Sequence, residues 1–133
     1  MSAAAEVTCA STGIAWSPEQ RVAHVRYTRG ATLTSTDGDF LVDALTSWVG
    51  GEGEPFAVLA DAAGLHGTDA AYRAKASGFF RQHRGTAFIA LTNVGPVIHV
   101  VVELFRVGTG IQLKTFPSEV AARTWLRAKG IAA

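Results

Sequence analysis

The sequence predicts an α/β fold in the order β-β-α-β-α-β-α-β-α, with a mixed, mostly parallel sheet and helices packed on it. Three observations carry this prediction. Phe56 to Ala60 is an unbroken apolar run bounded by turn residues, and Thr86 to Thr92 is a second, the pattern of strands covered on both faces. Between and after these runs, apolar residues recur at three and four residues, the period of a helix with one covered face. Nearer the start, Gly13 to Trp16 and Arg21 to Tyr27 flank the turn Ser17-Pro18-Glu19-Gln20 and predict an antiparallel hairpin. Strands separated by helices join in parallel, so the hairpin makes the sheet mixed.

In chain order, residues 1–12 are expected to form a flexible tail and residues 13–130 one domain. Within the hairpin, Val22, His24, Arg26 and Thr28 alternate against Ala23, Val25 and Tyr27. Thr34 to Asp37 then offers several helix caps, and Phe40, Leu41, Ala44, Leu45 and Trp48 share one helical face. The glycine-rich stretch from Gly50 to Glu54 ends that helix. After the central strand, Gly64 and Gly67 permit a tight loop, and Thr68 or Asp69 caps a second helix carrying Tyr72, Ala76, Phe79 and Phe80. This helix closes near His83-Arg84-Gly85, with cations in its last turn as the macrodipole favours.

Val97 to Val107 poses a choice, because its valines and isoleucine favour a strand. His99, Glu103 and Arg106 are spaced by four and three residues and share a face only on a helix; on a strand Arg106 would turn to the other side. The spacing therefore predicts a helix, with His99 paired to Glu103. Ile111 to Thr115 makes the last strand, and Pro117 to Ala128 a final helix presenting Ala121, Ala122, Trp125 and Leu126.

Composition narrows the function classes. A chain of 133 residues fits one core, and 48% hydrophobic against 17% charged residues argues for extensive burial or an oligomeric contact rather than disorder. The formal charge of +1 gives no general attraction to nucleic acid or anionic lipid. Lone Cys9 forms no internal disulfide and suits a reducing cytoplasm. The start MSAAAEV lacks the features of a signal peptide, and the most apolar window, Val94 to Val107, is broken by Pro96, His99, Glu103 and Arg106, so no membrane span is expected. His24, His66, His83 and His99 occur singly, and no nucleophile elbow is present, so neither a metal, a cofactor nor a catalytic residue is expected. The Gly50 to Glu54 loop carries two acids and no lysine, which disfavours phosphate binding.

The stretch Pro55 to Tyr72, PFAVLADAAGLHGTDAAY, ends a strand in Asp61 and opens a helix after Asp69. It resembles the STAS domain family of sulfate transporters and bacterial anti-sigma-factor antagonists, whose pattern ends a strand in Asp and opens a helix with Asp-Ser-Ser-Gly. The closing segment FPSEVAARTWL, with Phe116, Ala122, Trp125 and Leu126, resembles that of the SpoIIAA-like, or STAS/Sec14-like, small domains. The resemblance implies a SpoIIAA-like, STAS-type fold and a non-catalytic regulatory role through binding a protein of anti-sigma or partner-switching type. Ala70 stands where the family has its phosphorylatable serine, so the family's switch is absent at that position. The expected partner surface is Asp61, His66, Thr68, Asp69, Ala70 and Arg73. Val97, Ile98, Val101, Val102 and Phe105 cover more of a helix than one sheet contact needs, and a homodimer through them is expected. Sec14-like neighbours imply the alternative, a carrier of an apolar small molecule or lipid.

Overall fold

A computed structural model describes residues 5–50 and 53–133. Its strands are β1 (Ala5–Thr8), β2 (Thr12–Ser17), β3 (Val22–Tyr27), β4 (Ala31–Leu33), β5 (Phe56–Asp61), β6 (Leu65–Thr68), β7 (Ala87–Thr92) and β8 (Gln112–Phe116). The helices are α1 (Ser35–Val49), α2 (Ala70–Gln82), α3 (Pro96–Thr109) and α4 (Glu119–Ala128). Six strands form one sheet in the order β1-β2-β3-β5-β7-β8, antiparallel from β1 to β3 and parallel from β3 onward. The expected mixed, mostly parallel sheet and its four helices are present.

Three differences from expectation concern short strands. Ala5–Thr8, expected in a flexible tail, pairs antiparallel with β2, Val7 opposite Ile14, and extends the sheet by an edge strand. Residues 1–4 of that expected tail, and residues 51–52 of the glycine-rich linker, lie outside the described residues. Ala31–Leu33, to which the sequence assigned no element, and Leu65–Thr68, expected as loop, pair in parallel as a separate two-stranded sheet. The supposed tight loop between Asp61 and Asp69 is therefore a turn followed by strand β6.

Alternation along β5 divides the interior in two. Phe56, Val58 and Ala60 face a core shared with Leu41 and Leu45 of α1, Ala76, Phe79 and Phe80 of α2, and Ile98 and Val102 of α3. Ala57 and Leu59 face the opposite side and join Val22, Phe88 and Ala90 beneath Ala122 and Leu126 of α4. Three helices thus cover one face and α4 alone the other. Burial of a side chain such as Leu45 or Leu126, each fully buried, is worth roughly 1.5–3 kcal/mol.

Glycine matters where backbones meet. A Cβ on Gly64 would come within 2.7 Å of the Tyr27 carbonyl oxygen, and the Gly64 carbonyl accepts hydrogen bonds from Gly30 and Ala31. This close approach seats the turn after β5 against the turn after β3. It thereby fixes where β6 and the start of α2 emerge.

Candidate functional site

Four of the expected partner-surface residues come together at the start of α2. Asp69 caps the helix, its Oδ1 accepting from the Tyr72 amide at 2.8 Å, while its own amide donates to the Leu33 carbonyl at 2.8 Å. Arg73, one turn on, donates through Nη1 to the Thr68 carbonyl at 2.6 Å and to Thr68 Oγ1 at 3.0 Å. Ala70 is the first residue of the helix and is exposed, as is Ala71. The helix start is thus held from both sides while its outer surface is an uncharged pair of methyl groups.

Asp61 and His66 are not part of this grouping. His66 is exposed on β6, on the side opposite Leu65. Asp61 follows Ala57 and Leu59 onto the α4 side of the sheet, where its Oδ1 accepts from the Ala63 amide and from Asn93 Nδ2, both at 2.9 Å. The turn that carries Asp61 is an Asx turn, reinforced by Asn93 in a left-handed conformation.

The α3 expectations divide. The segment is helical, as the polar spacing predicts, but Ile98 and Val102 are buried against the sheet and cannot form an outer seam. Val101 and Phe105 are half-buried, and of the expected set only Val97 is exposed. The solvent-facing stripe is Val97, Val100, Leu104 and Val107, between 60% and 75% exposed. An α3 that is apolar nearly all round gives no signal of which side meets the sheet. Glu103 pairs with Arg106 Nη2 at 2.7 Å rather than with the expected His99. The guanidinium offers two donors to one carboxylate oxygen, which an imidazole cannot match.

Under α2 and α3 lies an apolar cavity of about 110 Å³ walled by Tyr27, Leu65, Tyr72, Val101 and Phe105, with Thr68 and Arg73 also in its lining. Burial pushes the Tyr27 hydroxyl up to about 12 and that of Tyr72 well above its ordinary value. Both remain neutral. A ligand in this cavity would meet mostly hydrocarbon, with two neutral tyrosines, Thr68 and Arg73 in the lining.

The opposite face holds a group that sequence reasoning missed. His24 on β3 is half-buried, and its Nε2 lies 3.0 Å from Arg123 Nη2 of α4. Because a guanidinium only donates, Nε2 accepts and the imidazole proton resides on Nδ1. Arg123 also pairs with Glu119 at 3.0 Å. These residues line a cleft of about 300 Å³ with Arg26, Asp61 and Thr92. Positions 24 and 123 are 99 residues apart, so only the fold reveals the cluster. Among the described residues no group of three or more His, Cys, Asp or Glu side chains is placed to hold a metal ion, and no helix is long and apolar enough to cross a membrane.

No protein-family model matches the chain, and no curated protein matches it in sequence. Solved structures do match in fold. An uncharacterised Shewanella loihica protein with a SpoIIAA-like fold aligns at TM-score 0.65 and 17% identity over 95% of this chain and 98% of its own. The anti-sigma factor antagonist SpoIIAA in its unphosphorylated form aligns at TM-score 0.59 and 13% identity, covering 94% and 98%. The murine Solute Carrier 26 family member A9 anion transporter aligns at TM-score 0.57 and 15% identity over 94% of this chain and 22% of the transporter. The chain therefore has the SpoIIAA-like, STAS-type fold.

Burial first, and the Arg123 guanidinium second, hold the His24 imidazole below its ordinary value of 6.5. Between that lowered value and 6.5 the unfolded chain binds more protons than the folded one. The contribution of His24 is thus complete above 6.5 and is lost as the pH falls toward the folded value. Denaturant midpoints measured from about pH 8 to about pH 5 should decline for the wild type, and His24→Gln, which keeps an acceptor for Arg123, should decline less. Superimposable profiles would remove His24 as the cause.

Proposed function

We propose that this chain is a non-catalytic regulatory domain that binds a protein partner through the start of α2, at Thr68, Asp69, Ala70 and Arg73. The observation that carries the reading is Ala70, exposed at the first position of a helix whose start is held by Leu33, Tyr72 and Thr68. A surface already ordered loses little conformational freedom on binding. The likeness to an anti-sigma factor antagonist supports a partner of anti-sigma or partner-switching type. A methyl group cannot accept phosphate, so binding at this position is constitutive. The cytoplasm is the compartment we assign, where the exposed Cys9 thiol stays reduced.

The same reading includes self-association through α3. Val97 and Val107 lie symmetrically about Val102, and so do Val100 and Leu104. In an antiparallel pair related by a two-fold axis, Val97 would face the partner's Val107 and Val100 the partner's Leu104. The spacing of three, four and three residues is that of a helix–helix seam. A second reading, a carrier of an apolar molecule, draws on the cavity under α2 and α3. At about 110 Å³ it is smaller than the roughly 150 Å³ apolar cavities that admit benzene. A larger apolar ligand would require α3 to move outward.

Affinity capture from native extract should retain a protein on the wild type that Ala70→Glu loses. A glutamate in the first turn interacts favourably with the helix dipole, by about 0.3–1 kcal/mol, so the variant should keep its melting temperature. Persistence of the complex with Ala70→Glu would exclude the α2 start as the interface. Sedimentation should show a dimer that Leu104→Glu converts to monomer, and a wild type that is monomeric at every accessible concentration would exclude self-association. The carrier reading predicts a co-purifying apolar mass in native mass spectrometry after gentle extraction; a clean apo mass counts against it.

A further inference from the structure

The cleft on the α4 face combines opposite charges in an unusual way. Strand register places Arg26 beside Asp61 on neighbouring parallel strands, with both side chains on the same face. Yet the two do not pair. The Arg26 guanidinium reaches across the sheet to Glu6 at 3.5 Å, over Gly13, whose missing side chain leaves room for it. Asp61 directs Oδ1 to the Ala63 amide and Asn93, and its Oδ2 has no hydrogen-bond partner among the described residues. Between them the floor is small, with Ala15 in the lining, and the far wall is Arg123, held by His24 and Glu119.

Thr92 also lines the cleft, and its hydroxyl makes no side-chain hydrogen bond among the described residues. The cleft also lies at the carboxyl ends of β3, β5 and β7, where open α/β sheets collect ligands.

Charge balance selects the ligand class. Two guanidinium groups, Arg26 and Arg123, are matched by two carboxylates, Asp61 and Glu119, so a simple anion or a simple cation would meet repulsion as well as attraction. A molecule with both charges avoids this. A cleft of about 300 Å³ has the volume of about ten waters in the liquid, enough for a small amino acid.

We propose that this cleft binds a small zwitterion of the free α-amino acid class, its carboxylate on Arg26 and its ammonium on Asp61 Oδ2 and the Thr92 hydroxyl. Arg123 closes the wall and orients His24, whose imidazole then reports occupancy. The site is separate from the α2 surface and stands whether or not that surface binds a protein.

The test is a titration of the whole chain with L-alanine, followed by NMR of the His24 ring, beside the isosteric fragments propionate and ethylammonium. L-alanine should give a saturable shift with a dissociation constant of about 1 mM or below, and each fragment should bind at least about tenfold more weakly. Arg26→Ala and Asp61→Asn should each weaken L-alanine by about tenfold or more, with melting temperatures close to that of the wild type. Either variant could perturb its turn, so Thr92→Val serves as a second probe that keeps shape and removes only the hydroxyl; it should weaken L-alanine and leave propionate unchanged. Absence of saturation, equal binding of propionate, or indifference to all three substitutions would overturn the proposal.

Discussion

The structure depends on the parallel pairing of β5 between β3 and β7. A strand flanked on both sides by parallel neighbours must be covered on both faces, because crossovers leave helices above and below. Phe56 to Ala60 meets that demand with five consecutive buried residues, even members against α1, α2 and α3 and odd members against α4. The turn residue that follows inherits the alternation. Asp61 is odd, so it emerges on the α4 side, although the chain then leads through β6 to the start of α2 on the other. The two candidate surfaces are separated by a single step of the pleat.

Legibility in the sequence followed the length of each element. Helices α1, α2 and α4 repeat their apolar residues over about two turns or more, and β2, β3, β5 and β7 are six residues long, enough for an alternating or apolar run to be read. Strands β1, β4 and β6 are three or four residues long and partly exposed. A period of two cannot be established over three residues, and their pairing is set by distant partners: Ala31 meets Leu65 only because Gly64 allows the two turns to touch. Small residues before Glu6 suggested a tail, yet an edge strand needs only a partner with free backbone groups, which β2 supplies.

The candidate site divided for a related reason. Asp69, Ala70 and Arg73 are local to one helix start, which cap preference locates in the sequence. Asp61 was assigned to the same surface because it is near in sequence, but face in a sheet depends on parity rather than proximity. His24 and Arg123 had no local signal at all. On α3 the polar arc of His99, Glu103 and Arg106 identified a helix, while its nearly continuous apolar circumference concealed that Ile98 and Val102 turn inward and Val100 and Leu104 outward.

Fold alone does not select among functions, since an antagonist and the anion transporter both align with this chain. The selection has to come from the sites. At the start of α2 a charged modification would act on a helix terminus already satisfied by Asp69, so its effect would fall on a partner's surface rather than on the helix itself. Residue 70 can therefore vary without changing the fold: the cap, the Arg73 clamp and the Leu33 contact need no atom of it beyond its backbone.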